Sequence, residues 1–163
     1  MRSSTTQILR PLMQAAASVL LLGVAGCAVS PTAAQIAAAA PPIPAGQARV
    51  WFYRPLEPYE SLNLAGIDMN GTYVGSVANG SAIYRDVAPG PYHIAPDSWG
   101  RDINQDTNVS LVPGQQLYIK IVSLESWAIS VSGSRSFQRD TFYAWQVVPE
   151  VAQAEIGRGR QGI

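Results

Sequence analysis

Cys27 is the only cysteine in the chain, and its neighbours define its chemistry more sharply than those of any other residue. The apolar run Leu20–Val24 leads into Ala25 and Gly26, and the thiol follows directly. A chain with one thiol cannot form an internal disulfide. Cys27 therefore has another role, and the residues before it indicate which one.

This stretch resembles the lipobox of bacterial lipoproteins, with Val24, Ala25 and Gly26 at the three positions before the cysteine. The resemblance implies cleavage before Cys27 and lipids on its sulfur and on the new amino group. We therefore expect residues 1–26 to be a lipoprotein signal peptide and Cys27 to carry palmitate-type chains. One acyl chain holds a protein only marginally, whereas two or three make the anchor effectively permanent.

The first 26 residues have the remaining features of such a leader. Arg2 and Arg10 supply a positive start, and residues 15–25 supply an apolar middle of the usual length. A spanning helix needs roughly 20 apolar residues, and Pro11 and Gln14 interrupt this run too early. Two alternatives are weaker: cleavage within residues 15–17, which would cut the apolar run in its middle, and a chance thiol after an ordinary signal peptide.

Ala28, the residue after Cys27, indicates in which membrane we expect the protein to reside. In enteric-type lipoproteins an Asp after the acylated cysteine retains the protein in the inner membrane, and this chain has Ala there. The resemblance thus implies the outer membrane, with the domain on its periplasmic face, and the inner membrane as second choice. The partner expected first is therefore the membrane itself.

Composition limits the class of protein. Charged residues make up 13% of the chain, about half the usual share. The chain has 11 basic residues, so loss of Arg2 and Arg10 leaves 9 against 11 acidic ones, a net charge of −2. This balance argues against nucleic acid as a partner. With no disulfide available, stability must come from core packing.

Residues 28–46 are rich in Ala and Pro, and Pro31, Pro41, Pro42 and Pro44 interrupt helices. Residues 37–40 could form one helical turn, which is too short to persist alone. We expect residues 27–46 to be an acylated cysteine and a flexible linker. Its reach would be roughly 25 Å as a coil and 50 Å as polyproline.

Residues 47–156 predict an all-β domain, an antiparallel β-sandwich of about 7–9 short strands. Val50 and Phe52 should face the core from the first strand. Asn70-Gly71, between two alternating runs, predicts a type I′ hairpin, and Asn79-Gly80 predicts a second such turn. The predicted strands are 49–54, 62–69, 72–77, 82–87, 92–95, 107–112, 116–122, 127–132 and 142–148.

A short C-terminal helix is predicted over residues 149–156. Pro149 opens it, Glu150 lies in its first turn, and Gly157 follows it. Residues 157–163 should form a flexible tail, where Arg158 and Arg160 could touch anionic phosphates or peptidoglycan. A solvated tail is the favoured alternative.

Four segments, residues 49–55, 68–75, 86–93 and 112–118, together resemble the small bacterial lipoproteins grouped as domain of unknown function 2846. The resemblance covers roughly residues 47–156. It implies a β-sandwich and a lipid anchor, and it implies no catalytic residues. Residues 123–140 depart from the pattern, so a partner surface there would be particular to this chain.

The sequence from Asp102 to Asp106 starts like a calcium loop, but Thr107 and Pro113 stand where Gly and Glu are required. A solvated loop is therefore favoured, and no metal is predicted. His93 is the only histidine and has no nucleophile motif beside it, so a structural role is favoured. The carboxylates of Asp97, Asp102 and Asp106 could pair for glycoside hydrolysis, although their spacing in the fold is not set by the sequence.

Four tryptophans, Trp51, Trp99, Trp127 and Trp145, are many for this length. Trp145 lies within an apolar strand, and we assign it to the core. Trp99 and Trp127 flank predicted loops and could stack on sugar rings as ligand-binding residues.

These observations predict a lipid-anchored envelope lipoprotein with a non-catalytic binding or scaffolding role in the periplasm. No catalytic residue and no cofactor are assigned. The expected partners are the membrane through Cys27 and an envelope protein or peptidoglycan. The first alternative is a carbohydrate-binding or peptidoglycan-binding module that uses Trp99 and Trp127. A weaker alternative is a hydrolase that uses the loop carboxylates.

Overall fold

Alternating apolar residues assemble into two four-stranded sheets packed face to face. The structure, a computed structural model, describes residues 31–57, 63–98, 102–128 and 137–158. Predictions for residues 1–30, Trp99 and Arg160 lie outside these ranges. The strands are β1 (Ala48–Tyr53), β2 (Ala65–Met69), β3 (Thr72–Val77), β4 (Ala82–Val87), β5 (Gly90–Pro96), β6 (Thr107–Leu111), β7 (Gln116–Ala128) and β8 (Phe137–Val147), and the helices are α1 (Ala33–Ala39) and α2 (Pro149–Arg158).

The predicted all-β sandwich with a short C-terminal helix is confirmed. The first sheet has the order β4-β1-β7-β8 and the second β3-β2-β5-β6. Pairing is antiparallel except between β1 and β7, which run parallel from Arg49 opposite Gln116 to Tyr53 opposite Lys120. The strand-by-strand pattern did not predict this pair, because the second sheet lies between β1 and β7 in the chain.

The core lies between the sheets. Val50 and Phe52 face it as predicted, and both are fully buried together with Ile67, Ile94 and Ile119. Burial of each such side chain stabilises the fold by about 1.5–3 kcal/mol. The core therefore supplies the stability that a chain without disulfides requires.

The outer face of the first sheet is also buried over β1, because α1 and α2 lie across it. All six residues of β1 are buried, which gives Trp51 and Tyr53 a second apolar cluster on the side opposite Val50. This cluster consists of Ala33, Trp51, Tyr53, Ala82, Tyr118, Ala152 and Ile156.

We expected a flexible linker over residues 27–46, but from Pro31 onward the chain differs from this expectation because it contains the helix α1. α1 begins after Thr32, whose side chain accepts from the Gln35 amide while the Gln35 side chain accepts from the Thr32 amide. The sequence contains the pattern of this capping box, a Thr followed three residues later by a Gln. The helix has only seven residues. It persists because Ala33 is buried and Ile36 packs against the same cluster.

The two predicted hairpin turns have different outcomes. Asn70 and Gly71 both have positive φ, 51° and 75°, which confirms the type I′ turn between β2 and β3. At the second site only Gly80 has positive φ, and it connects β3 to β4, which belong to different sheets. The type I′ prediction there is wrong, because the Asn79 side chain bonds the backbone of Glu57 instead of closing a hairpin.

The predicted strands 116–122 and 127–132 are joined in one strand, β7, as far as Ala128. Its partner β8 begins at Phe137, so residues 137–140, predicted as loop, are paired with β7. The predicted strands leave out residues 123–126, which include the polar Ser123, Glu125 and Ser126. A ladder between neighbouring strands needs only backbone groups, so polar side chains do not end it. Residues 129–136 lie outside the described part.

Candidate functional site

Trp145 in β8 has a large aromatic side chain that is exposed on the first sheet. It follows Phe142 and Ala144, which face the core, so the period of two places Trp145 on the outer face. The ring is 46% exposed, and its assignment to the core is therefore wrong. The cluster under α1 and α2 reaches β8 at Val147, and Trp145 lies outside it.

Trp145, its ring neighbour Tyr143, its cross-strand neighbour Lys120 and the hydrogen-bond partners of these two, Asp102 and Glu155, form a surface that we call the Trp145 ledge. The Trp145 and Tyr143 ring centroids are 6.3 Å apart at an angle of 52°. The Tyr143 hydroxyl donates to Asp102 Oδ2 at 2.6 Å, and Lys120 lies opposite Trp145 in the strand register. An apolar ring beside fixed polar groups is an arrangement suited to a ligand with one apolar and one polar side.

Asp102 is held as a hydrogen-bond acceptor. The hydrogen bond from Tyr143, followed by that from the Ile103 amide, lowers the pKa of the Asp102 carboxyl below its ordinary value. The same bond raises the pKa of Tyr143. A glycosidase general acid needs a raised carboxyl pKa, so Asp102 has the opposite character.

The other predicted polar residues have separate partners. His93 Nε2 lies 3.2 Å from Asp106 Oδ2, and the Asp97 amide donates to the Gly66 carbonyl. Both oxygens of Asp102 already accept internal hydrogen bonds. Within the part of the chain that the structure describes, no group of three or more His, Cys, Asp or Glu residues could hold a metal ion.

The outer edge of β8 is covered by the connection between β5 and β6. The Ala144 amide donates to the Gln105 carbonyl at 2.8 Å, and Ser98 Oγ bonds both the amide and the carbonyl of Phe142. Sheet edges that keep free backbone groups invite pairing with other chains. This connection satisfies the β8 edge at Phe142 and Ala144, next to Trp145.

Arg49 fixes the other side of the same sheet. It is buried, and its Nε and Nη2 donate to Asp86 at 2.6 and 2.8 Å, while Nη1 donates to the Pro41 carbonyl at 2.7 Å. Its guanidinium carbon lies 4.2 Å from the Tyr84 ring centroid. The hydrogen bonds from Arg49 lower the pKa of Asp86. Arg49 thereby holds the segment after α1 against β4.

Glu155 holds α2 against the first sheet through two side-chain hydrogen bonds. It accepts from Lys120 Nζ and from the Tyr53 hydroxyl, each at 2.7 Å. Burial raises the pKa of Glu155, but these hydrogen bonds outweigh burial and the net shift is downward. Burial, followed by the bond to Glu155, raises the pKa of Tyr53. These contacts hold α2 on the sheet, and they also fix Lys120 and Glu155 within the Trp145 ledge.

The predicted site residues are distributed differently from expectation. Cys27 and Trp99 lie outside the described residues. Trp127 lies in β7, opposite Gln138 in the register, and its side chain is not described. Arg158 is the last residue of α2, which extends two residues past its predicted end. The signal for Trp145 was present in the sequence, because its alternation with Phe142 and Ala144 already placed it on the other face.

The described residues form a small β-sandwich with one sheet covered by helices and with the exposed Trp145 ledge beside this cover. A family profile described as "Protein of unknown function (DUF2846)" matches residues 44–134. The chain therefore belongs to this family, which confirms the resemblance in the sequence. No curated protein matches the chain. Among the described residues, no helix is long and apolar enough to cross a membrane.

Proposed function

We propose that this protein is a lipid-anchored component of the bacterial envelope whose β-sandwich acts as a non-catalytic binding or scaffolding domain. The observation that carries the proposal is the stretch resembling a lipobox that ends at Cys27, the only cysteine, six positions before the first residue of α1. Acylation at that position would hold the sandwich beside a bilayer. The family description assigns no activity.

The outer membrane is the proposed location. It is supported by Ala28, since enteric-type lipoproteins retained in the inner membrane carry Asp at that position. In an enteric host, Ala28→Asp should move the protein to inner-membrane fractions of a density gradient, while Ala28→Ser should leave it in outer-membrane fractions. An unchanged distribution of the Asp variant would remove this support.

Mass spectrometry of the protein from its native host tests the anchor. The mature chain should begin at Cys27 and carry the added mass of fatty acyl groups. Cys27→Ser should remain uncleaved and take up no labelled palmitate, whereas Ser30→Ala, a matched nearby change, should be processed normally. Labelled palmitate in the Cys27→Ser variant would contradict the proposal.

A carbohydrate-binding role is the second candidate, and the exposed ring of Trp145 favours it. Aromatic rings stack on the apolar faces of sugars, and the Trp145 side chain is 46% exposed. Retention on purified sacculi should fall in Trp145→Ala and stay unchanged in Tyr73→Ala. Tyr73 is a matched control because it is an exposed aromatic on the second sheet. Equal retention of both variants would end this candidate.

The hydrolase alternative has the least support. Asp102 is paired with Tyr143, and Asp106 with His93. A carboxyl whose pKa is lowered does not deliver a proton to a leaving group at neutral pH. We therefore propose that the domain binds without catalysing a reaction.

A further inference from the structure

The described part of the chain begins at Pro31 and joins the sandwich at one defined corner. The Ala33 amide donates to the Gly80 carbonyl at 3.3 Å, and the Arg54 amide donates to the Ser81 carbonyl at 3.0 Å. We call this region, formed by residues 54–57, 63–64 and 78–81, the entry corner. From there α1 leads to Pro41, which contacts Arg49 near the start of β1, so the segment runs from the entry corner to the opposite end.

Two exposed leucines lie at the entry corner. Leu56 is 38% exposed and packs beside Gly80, where an added Cβ would lie 3.1 Å from Leu56 Cδ1. Leu64 is 64% exposed and directly precedes Ala65, which pairs with Val77 at the end of β3. Both leucines therefore stand beside the connection that bonds the first residue of α1.

The backbone that carries Leu56 is fixed. Its neighbour Glu57 donates its amide to Asn79 Oδ1 at 3.0 Å, and the Asn79 side-chain nitrogen donates to the Glu57 carbonyl at 2.7 Å. This reciprocal pair ties residues 55–57 to the connection between β3 and β4. A surface leucine held in this way is presented to a partner without an ordering cost.

We propose that the entry corner rests on the bilayer, with Leu56 and Leu64 at the boundary between headgroups and acyl chains. This inference rests on the proposed lipid anchor at Cys27. Five residues lie between Cys27 and Ala33, and a fully extended chain over these six residue steps spans at most about 20 Å. The tether is thus much shorter than the 19-residue linker expected from composition.

The short span between Cys27 and α1 favours the bilayer as the partner of the entry corner. The opposite end, marked by Val112 and Val148, is displaced by the length of β1, whose six residues span about 20 Å. Placing that end on the membrane would require the whole tether to be stretched. At the entry corner no stretching is needed, and a tethered surface meets its partner at high effective concentration.

The proposed contact with the bilayer lies at the entry corner, on the β4 side of β1. β7 and β8 continue beyond Lys120 and Trp145 as a paired arm to Ala128 and Phe137, and they lie on the other side of β1 from β4. The bilayer would therefore meet Leu56 and Leu64 beside α1. The two leucines orient the domain, and the acyl chains hold it.

Site-directed quenching tests the orientation. The acylated protein is prepared with Leu64→Cys or Val112→Cys, labelled with bimane and reconstituted in phosphatidylcholine vesicles that contain brominated lipid. The Cys27 sulfur is already acylated, so the introduced thiol is the one that reacts. Quenching should be at least about twofold stronger at position 64 than at position 112, because only the first lies at the boundary. Glu57→Cys, an exposed position in the same corner, provides a second label.

Two failures can be told apart, because mass spectrometry and vesicle flotation report acylation independently. If the protein is acylated and floats but quenching at 64 and 57 does not exceed that at 112, the inference is overturned and the anchor stands. If no acyl mass is found, the proposed function fails and the inference fails with it. Stronger quenching at 64 and 57 in the floating protein supports both.

Discussion

Trp51 and Trp145 lie on the same outer face of the same sheet, yet their surroundings differ. Trp51 is 3% exposed, donates from Nε1 to Gln116 at 3.0 Å and stacks with Tyr118 beneath the helices. Trp145 is 46% exposed and contacts Tyr143. The strand period decides which face a residue occupies, but the helix cover decides whether that residue becomes core or a binding surface.

The largest expected effect comes from exchanging each tryptophan for alanine. Trp51→Ala should lower the free energy of unfolding by about 3–5 kcal/mol, because it empties a closed site. Trp145→Ala should cost less than about 1 kcal/mol, because its ring already faces solvent. Urea denaturation of both purified variants measures the difference. Similar losses would show that the two regions do not differ as described.

Substitution of Arg49 tests how strongly this residue holds the segment after α1 against the first sheet. Arg49→Ala should cost about 3 kcal/mol, because it removes the partner of a largely buried Asp86 carboxylate. It also removes the bond to Pro41 after α1. Arg85→Ala, an exposed arginine one residue from Asp86, is the control and should change unfolding by less than about 0.5 kcal/mol. A neutral Arg49→Ala would mean that the guanidinium does not hold the cover.

We expect low pH to lower the free energy of unfolding through two carboxylates beside the helices that cover the first sheet. The folded-state pKa values of Asp86 and Glu155 lie below their ordinary values of 3.8 and 4.5. The unfolded chain therefore binds more protons, so both groups stabilise the fold above about pH 4.5 and lose that effect as pH falls through their folded pKa values. Urea midpoints measured from pH 7 to pH 3 should fall less in Glu155→Gln than in wild type.

The control for this experiment is Glu150→Gln, which alters an exposed carboxylate in the first turn of the same helix. Its midpoints should follow those of wild type across the acid range. The same slope in the Glu155→Gln variant and in wild type would show that the contacts of Glu155 with Lys120 and Tyr53 do not contribute to acid sensitivity.

The smallest expected effect concerns the start of α1. Thr32→Ala should cost about 1 kcal/mol, because it removes the side-chain acceptor of the Gln35 amide. Thr32→Ser keeps the hydroxyl and should be close to neutral. Hydrogen exchange should speed up in residues 33–39 of the alanine variant while β8 amides remain unchanged. Unchanged exchange in α1 would show that packing alone maintains the helix.

The sequence by itself determined the features that depend on nearby residues. Alternation placed Val50 and Phe52 in the core, Asn70-Gly71 specified a left-handed turn, and Pro149 opened the last helix. The family could also be recognised, because its motifs are contiguous strands and turns. These features are local because backbone conformation and strand period act over only a few residues.

Only the tertiary structure decided which elements became neighbours. It made β1 and β7 a parallel pair, turned residues 33–39 into a packed helix and left Trp145 exposed beyond the cover. The same Ala-rich segment would be marginal as an isolated helix, and the same tryptophan would be core if a helix crossed β8. Burial depends on contacts between residues far apart in the chain, and those contacts form when the whole sandwich assembles.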